Sequence, residues 1–194
     1  KAIKHKHDHA GAYNNMGIAL KEQGKLEGAI QSYSKAISIN PDSSEAYHNM
    51  GIALKEQGKL EESIDAYSKA ISINPDSAET YNNMGIALQE KAKLDEAIQA
   101  YKKSLSLKPN FSDAIWNLAG IAENIQEAKH WISVCLRVDP NHLEAKLTRS
   151  ALLFYEGDIS EYSALKKTPN KHHPYMRSFC WVFSLPKLPQ IHFH

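Results

Sequence analysis

A chain of 194 residues with 42% hydrophobic content, a mean hydropathy of −0.49 and a formal net charge of +1 has material for a core and a polar surface. Near-neutrality removes the electrostatic basis for binding nucleic acid or an anionic membrane; no apolar run reaches the ~20 residues of a membrane span, and no signal-peptide pattern opens the chain. Cys135 and Cys180 are too few for a disulfide framework, which points to a reducing, cytoplasmic setting.

Residues 1–9 align with the end of a later segment: Lys1-Ala2-Ile3 with Lys35-Ala36-Ile37, and Asp8 with Asp42. They read as the tail of a preceding repeat, so the chain is expected to be a piece of a longer protein. Repeats then follow in register. Ala10–Ser43 and Ser44–Ser77 agree at 27 of 34 positions, and Ala78–Phe111 continues without an insertion. A fixed period of this length is the signature of stacked supersecondary units.

Each unit reads as two amphipathic helices. Tyr13, Met16, Gly17 and Leu20 recur at spacings of three and four, the period of one helical face. Tyr47, Met50, Gly51, Leu54 and Tyr81, Met84, Gly85, Leu88 repeat it. In the second helix, Leu26, Ala29, Ile30, Tyr33, Ala36 and Ile37 form another apolar stripe. Gly24 and Gly58 suit the turn between helices, where a positive φ costs only glycine little. Ala92 stands in the third such turn, which must therefore avoid the left-handed region or carry strain. Pro41, Pro75 and Pro109 stop the second helices. Asp42 with Glu45, and Asp76 with Glu79, match a helix cap followed by an acid three residues on. Gly17, Gly51 and Gly85 are expected to leave room for the partner helix.

A fourth unit spans 112–142. Ile115, Leu118 and Ala119 begin it, three residues are then missing before Ala128, and Ile132, Cys135 and Pro140 resume the register. The spacing predicts a shortened turn between its helices. Asn141 with Glu144 marks another helix start, running to about Glu156; Gly157 then turns into a degenerate second helix at 158–167. Lys146 and Arg149 replace apolar residues there, as a capping repeat over 143–167 requires. Residues 168–194 leave the pattern and read as a C-terminal packing segment or linker, with an apolar run at 178–185 followed by prolines.

These residues make the chain resemble the tetratricopeptide repeat family, including bacterial arrays and the repeat domain of O-linked N-acetylglucosamine transferases. The marks are Tyr13, Met16, Gly17, Leu20, Ala29, Tyr33, Ala36 and Pro41, with Ser63 a mild departure in the second unit. The resemblance covers residues 10–111 in full. It implies an all-α fold, a right-handed α-α superhelical solenoid of helix-turn-helix repeats, with units at 10–43, 44–77 and 78–111. It also implies a protein-protein interaction module that takes an extended peptide or partner protein in a concave groove.

In that family certain places of each first helix face the groove. Here the sixth place holds Asn15, Asn49, Asn83 and Asn117 without exception, and the fifth holds Asn14, His48 and Asn82. A primary amide offers two donors and an acceptor, enough to hold both the N–H and the C=O of a peptide unit. The plain alternative is that these asparagines are solvated or tied to neighbouring helices. Ile18, Ile52 and Ile86 add an apolar strip, and Trp116 is placed to line the groove. Lys21, Lys55, Glu22, Glu56 and Glu90 read as a solvated charged face. Of the residues with which chaperone-binding members grip a C-terminal carboxylate, only Asn49 is matched, and Glu79 would repel the carboxylate. Docking to chaperone tails is not expected.

No catalytic chemistry is indicated, so the protein is not expected to be an enzyme, and no cofactor or metal is implied. His5, His7 and His9 form a tract, with His172, His173, His192 and His194 near the other end, but terminal histidines lack the outer partners that orient metal ligands. Cys135 sits at a small core place and Cys180 in an apolar run, while Trp131 and Trp181 read as core. Two other readings stay open: a substrate-recruiting, non-catalytic arm of a glycosyl- or methyltransferase, and a scaffold that assembles as a homo-oligomer.

Overall fold

The computed structural model describes residues 2–155, with side chains placed over 9–153. The expected helix at 158–167, the segment 168–194, Cys180, Trp181 and the four histidines near that end lie outside the described residues, as do the side chains of His5 and His7. The chain divides into two compact units, Lys1–Pro109 and Asn110–His194. Among the described residues there are helices and no strand. None of those helices is long and apolar enough to cross a membrane.

The first unit holds three helical hairpins: α1 (Ala2–Glu22) with α2 (Leu26–Ile39), α3 (Ser44–Glu56) with α4 (Leu60–Ile73), and α5 (Ala78–Glu90) with α6 (Leu94–Leu107). Each second helix packs on the first helix of the next hairpin, and successive first helices also touch. Each hairpin thus packs chiefly on its neighbours in sequence, which makes this unit a solenoid. α1 begins at Ala2 with no stop inside it, because His7 occupies the place that Pro41 takes one period later.

Glycine–tyrosine pairs hold each hairpin closed. Tyr33, Tyr67 and Tyr101 are fully buried, each with its ring against Gly17, Gly51 or Gly85. A Cβ at any of these glycines would lie within 3.0 Å of ring carbons. Burial, then the charges of Glu56 and Glu22, pushes the Tyr33 phenol up to about 12. The serines at small places are satisfied: Ser63 donates to the Gly51 carbonyl at 2.8 Å and Ser104 to that of Ala78 at 2.8 Å.

The three inter-helix turns are alike. Gly24, Gly58 and Ala92 have φ of 73°, 82° and 61°. The following amides of Lys25, Lys59 and Lys93 donate back to Leu20, Leu54 and Leu88, all at 2.9 Å. This is the Schellman closure of a helix end. Ala92 therefore adopts the left-handed conformation and bears its strain, a cost of roughly 1–2 kcal/mol for a residue with a Cβ.

The helix caps differ from expectation. α3 and α5 are capped by Ser43 and Ser77, whose hydroxyls accept from the amides of Ala46 (3.3 Å) and Thr80 (3.2 Å). Asp42 and Asp76 stand one residue too early, in the turn that follows the proline. Met16, expected on a core face, is 53% exposed. Its counterpart Met50 packs on Ala29, Tyr33 and Ala53, a cover that the hairpin before it provides.

The second unit contains α7 (Ser112–Gly120), α8 (Ile125–Val138) and α9 (Leu143–Tyr155). The three missing residues come out of the helix, not the turn. α7 has 9 residues where α3 and α5 have 13, and the connection to α8 is one residue longer. The reason is local. No left-handed residue closes α7, and Asn124 instead starts α8 by accepting from the Glu127 amide at 3.0 Å. Trp131 is half-buried rather than core. α9 starts where the Ala145 amide donates to His142 Nδ1 at 3.3 Å, a role expected of Asn141.

Candidate functional site

Side by side, α1, α3 and α5 form one wall of the first unit. Adjacent residues of these helices differ by about 100° in direction. The fifth and sixth places therefore have different surroundings. Asn14 and Asn82 are buried, at 6% and 4% exposure, and His48 is half-buried. Asn15 is exposed, while Asn49 and Asn83 are half-buried.

The fifth places bind the wall together. Asn14 Nδ2 donates to Glu45 Oε1 at 3.0 Å, and Asn14 Oδ1 accepts from Asn49 Nδ2 at 3.1 Å. One repeat on, His48 Nδ1 lies 2.8 Å from Thr80 Oγ1, which in turn lies 2.8 Å from Ser77 Oγ. The His48 ring also sits 5.9 Å from that of Tyr67. Burial lowers the His48 pKa against the opposing pull of Glu79 and Glu45. The imidazole is accordingly neutral at pH 7, and Nδ1 shares a hydrogen bond with the Thr80 hydroxyl whose direction the ring's tautomer sets.

At the sixth places the amides retain hydrogen-bonding capacity. Asn49 uses one N–H on Asn14 and keeps its other N–H and its carbonyl oxygen. Asn15 and Asn83 make no side-chain hydrogen bond among the described residues. Ile18, Ile52 and Ile86 are half-buried, and Ile18 packs against the Ala29–Tyr33–Ala53 cluster as well as edging the wall.

The charges beside the amides are paired from repeat to repeat. Lys21 Nζ lies 3.9 Å from Glu56, and Lys55 Nζ lies 3.5 Å from Glu90. In the third hairpin the place of these lysines holds Gln89, whose Oε1 accepts from the Tyr101 hydroxyl at 2.8 Å. Glu79 accepts from Lys108 Nζ at 2.8 Å, a hydrogen bond that draws its carboxyl below the usual range. Such exposed pairs contribute at most about 1 kcal/mol each, so their main effect is to cancel charge along the wall.

In the second unit, Trp116 and Asn117 are half-buried on α7, and the Trp116 ring sits 5.4 Å from that of His142. Cys135 is buried, its thiol pushed up to about 11 mainly by burial, and it donates toward the Ser112 carbonyl at 3.7 Å. A thiol in that state is protonated and unreactive. Among the described residues no three His, Cys, Asp or Glu side chains are grouped to hold a metal ion.

Thr80 and Ser77 escaped the reading of the sequence, yet a signal was present. The third place of the other units holds Ala12, Ala46 and Ala114, and the fifth holds Asn14 and Asn82. Within the three hairpins of the first unit only His48 and Thr80 depart at these places, and they depart as a contacting pair.

Comparison with known proteins fits this geometry. The profile of the family described as TPR repeat matches residues 19–58 and 53–92, and that described as tetratricopeptide repeat matches 78–111. No curated protein sequence is significantly similar to this chain. Among solved structures, Pseudomonas aeruginosa PilF is 23% identical, with 93% of this chain and 83% of that one covered at a TM-score of 0.75. YrrB, described as a TPR protein with an unusual peptide-binding site, is 18% identical, covering 96% and 91% at a TM-score of 0.63. The first TPR of Spaghetti (RPAP3), bound to the HSP90 peptide SRMEEVD, is 26% identical, covering 59% and 90% at a TM-score of 0.58.

Proposed function

We propose, from the premise that this chain is a tetratricopeptide repeat protein and hence a protein-interaction module, that it binds an extended segment of a partner protein along α1, α3 and α5. Asn15, Asn49 and Asn83 make the contacts, and Ile18, Ile52 and Ile86 supply apolar edging. Asn14 and Asn82 act from beneath. The observation that carries this reading is the half-committed amide of Asn49. Asn14 holds it in one orientation and leaves free the N–H and C=O pair that a peptide unit requires. An amide fixed in advance loses less entropy on binding. The Lys21–Glu56 and Lys55–Glu90 pairs cancel each other's charge, which leaves selection for the partner's charge to Glu45 and Glu79.

In the second unit, Asn117 and Trp116 offer an amide and a ring at the corresponding places of α7. We place the module in the cytoplasm, where a free thiol such as Cys135 persists. The SRMEEVD-binding relative does not transfer its ligand class, because Glu79 opposes a carboxylate on this wall.

The test selects dodecapeptides from a displayed random library on the intact protein and measures their affinity for the Asn49→Ala, Asn83→Ala double variant. Hydrogen bonds worth about 0.5–1.5 kcal/mol each predict a loss of roughly tenfold or more. Undiminished affinity, with circular dichroism unchanged, rules out the amide wall as the binding surface.

A further inference from the structure

We propose that the cleft at His48 is a subsite for a basic side chain, arginine or lysine, of the segment bound along α1, α3 and α5. This deepens the reading above and rests on it. The cleft has a volume of about 200 Å³ and lies between α3 and α5, with the end of α4 also lining it. Every lining residue but Ala70 is polar, and the groups that bear on a guest are Glu45, His48, Glu79 and Thr80. A guanidinium or ammonium group needs acceptors, and this cleft is rich in them.

Four observations select that chemistry. First, the cleft sits where the repeat departs from itself: Asn14 and Asn82 mark the equivalent places in the neighbouring hairpins, and only here does an imidazole stand on a threonine. Second, the two carboxylates are each half used. Glu45 Oε1 accepts from Asn14 and Glu79 Oε1 from Lys108, and each carboxylate has lone pairs beyond those bonds for a guest. Third, the charges do not cancel. Two carboxylates face one lysine, Lys108, and an imidazole whose pKa burial lowers, which leaves a formal charge of −1 set against the partial positive ends of α3 and α5 that also line the cleft. Fourth, a carboxylate side chain would meet that same formal charge with repulsion, and an aliphatic one would strip water from Glu45 and Glu79 without replacing it.

His48 also tunes the subsite. The groups around it are Glu45 from α3, the Tyr67 ring from α4, Glu79 from α5, and Lys108 through Glu79. Protonating the imidazole adds a positive charge where the guest's charge must go. Acidification therefore weakens a basic guest, and a bound cation holds the imidazole neutral to lower pH.

The experiment uses the intact protein and three nine-residue peptides of glycine, alanine and serine carrying one central arginine, citrulline or glutamate. Nuclear magnetic resonance follows the His48 ring, the Thr80 methyl and the backbone amides of α1, α3 and α5. The arginine peptide is expected to bind at least about fivefold more tightly than its citrulline isostere, in line with the extra strength of charge-assisted hydrogen bonds. It should perturb His48 and Thr80, and lose its advantage as the pH falls below the ordinary imidazole value of about 6.5. Glu45→Gln with Glu79→Gln, which keeps the acceptor oxygens but removes the charge, should abolish the advantage. Equal binding of the arginine and citrulline peptides, with shifts along α1, α3 and α5, overturns the subsite and leaves the amide wall standing. Shifts from none of the three peptides overturn both.

Discussion

The hairpins of the first unit and the α7–α8 hairpin of the second reach one design by different local means. In the first unit, the opening helix is stopped by a left-handed residue at Gly24, Gly58 or Ala92, and the second helix starts at a lysine that makes no side-chain cap. In α7–α8 the emphasis is reversed: no left-handed residue ends α7, and Asn124 caps α8. The closing contact differs too. Where the first unit sets a tyrosine on a glycine, the second sets Ile132 in the place of the tyrosine and Ala119 in that of the glycine, both buried. The lesson is that the aromatic ring and the missing Cβ form one element. Each is needed only because of the other, and a smaller side chain readmits the methyl group.

The strongest way to break that comparison is Gly51→Ala. Its methyl group would overlap the Tyr67 ring, and we expect a loss of about 1–3 kcal/mol in chemical denaturation. Adding Tyr67→Ile reproduces the chemistry of Ala119 and Ile132. The double variant should then be more stable than the sum of the two single changes predicts, and strict additivity would show that the two residues are independent. Next in size is Asn124→Ala, expected to cost about 1 kcal/mol because a cap is lost, while Lys59→Ala at the corresponding place should be near neutral. Equal effects from both would mean that α8 does not depend on its start signal. Smallest is Ala92→Gly, which relieves a left-handed residue and should stabilise the protein by up to about 1 kcal/mol, read as a higher midpoint of thermal unfolding.

Repetition made the fold legible. The same glycine, tyrosine and proline recurring at one period located every hairpin of the first unit, because each residue answers a local steric demand that the chain states several times. Single-residue detail was less legible. Asp42 and Ser43 are both good cap residues and adjacent, and only the position at which the backbone enters the helix, just after Ser43, decides between them. Likewise the gap before Ala128 showed that residues were missing but not from which element. A cap at Asn124 and the absence of a left-handed stop assigned the loss to α7.

The candidate wall shows the same division. From the sequence alone, Asn14 and Asn15 are two identical amides in a row. Their difference of about 100° around the helix axis turns one under α3 and leaves the other in solvent. His48 and Thr80 stand 32 residues apart, and their pairing exists only because successive first helices lie side by side.

What the sequence determined by itself was the period, the kind of each element, and the residues that must be small, because propensity, helix termination and hydrophobic spacing act over one or two helical turns. What the tertiary structure decided was which polar groups bind the wall together and which remain to meet a partner. Burial and hydrogen bonding between hairpins are properties of the neighbour as much as of the residue.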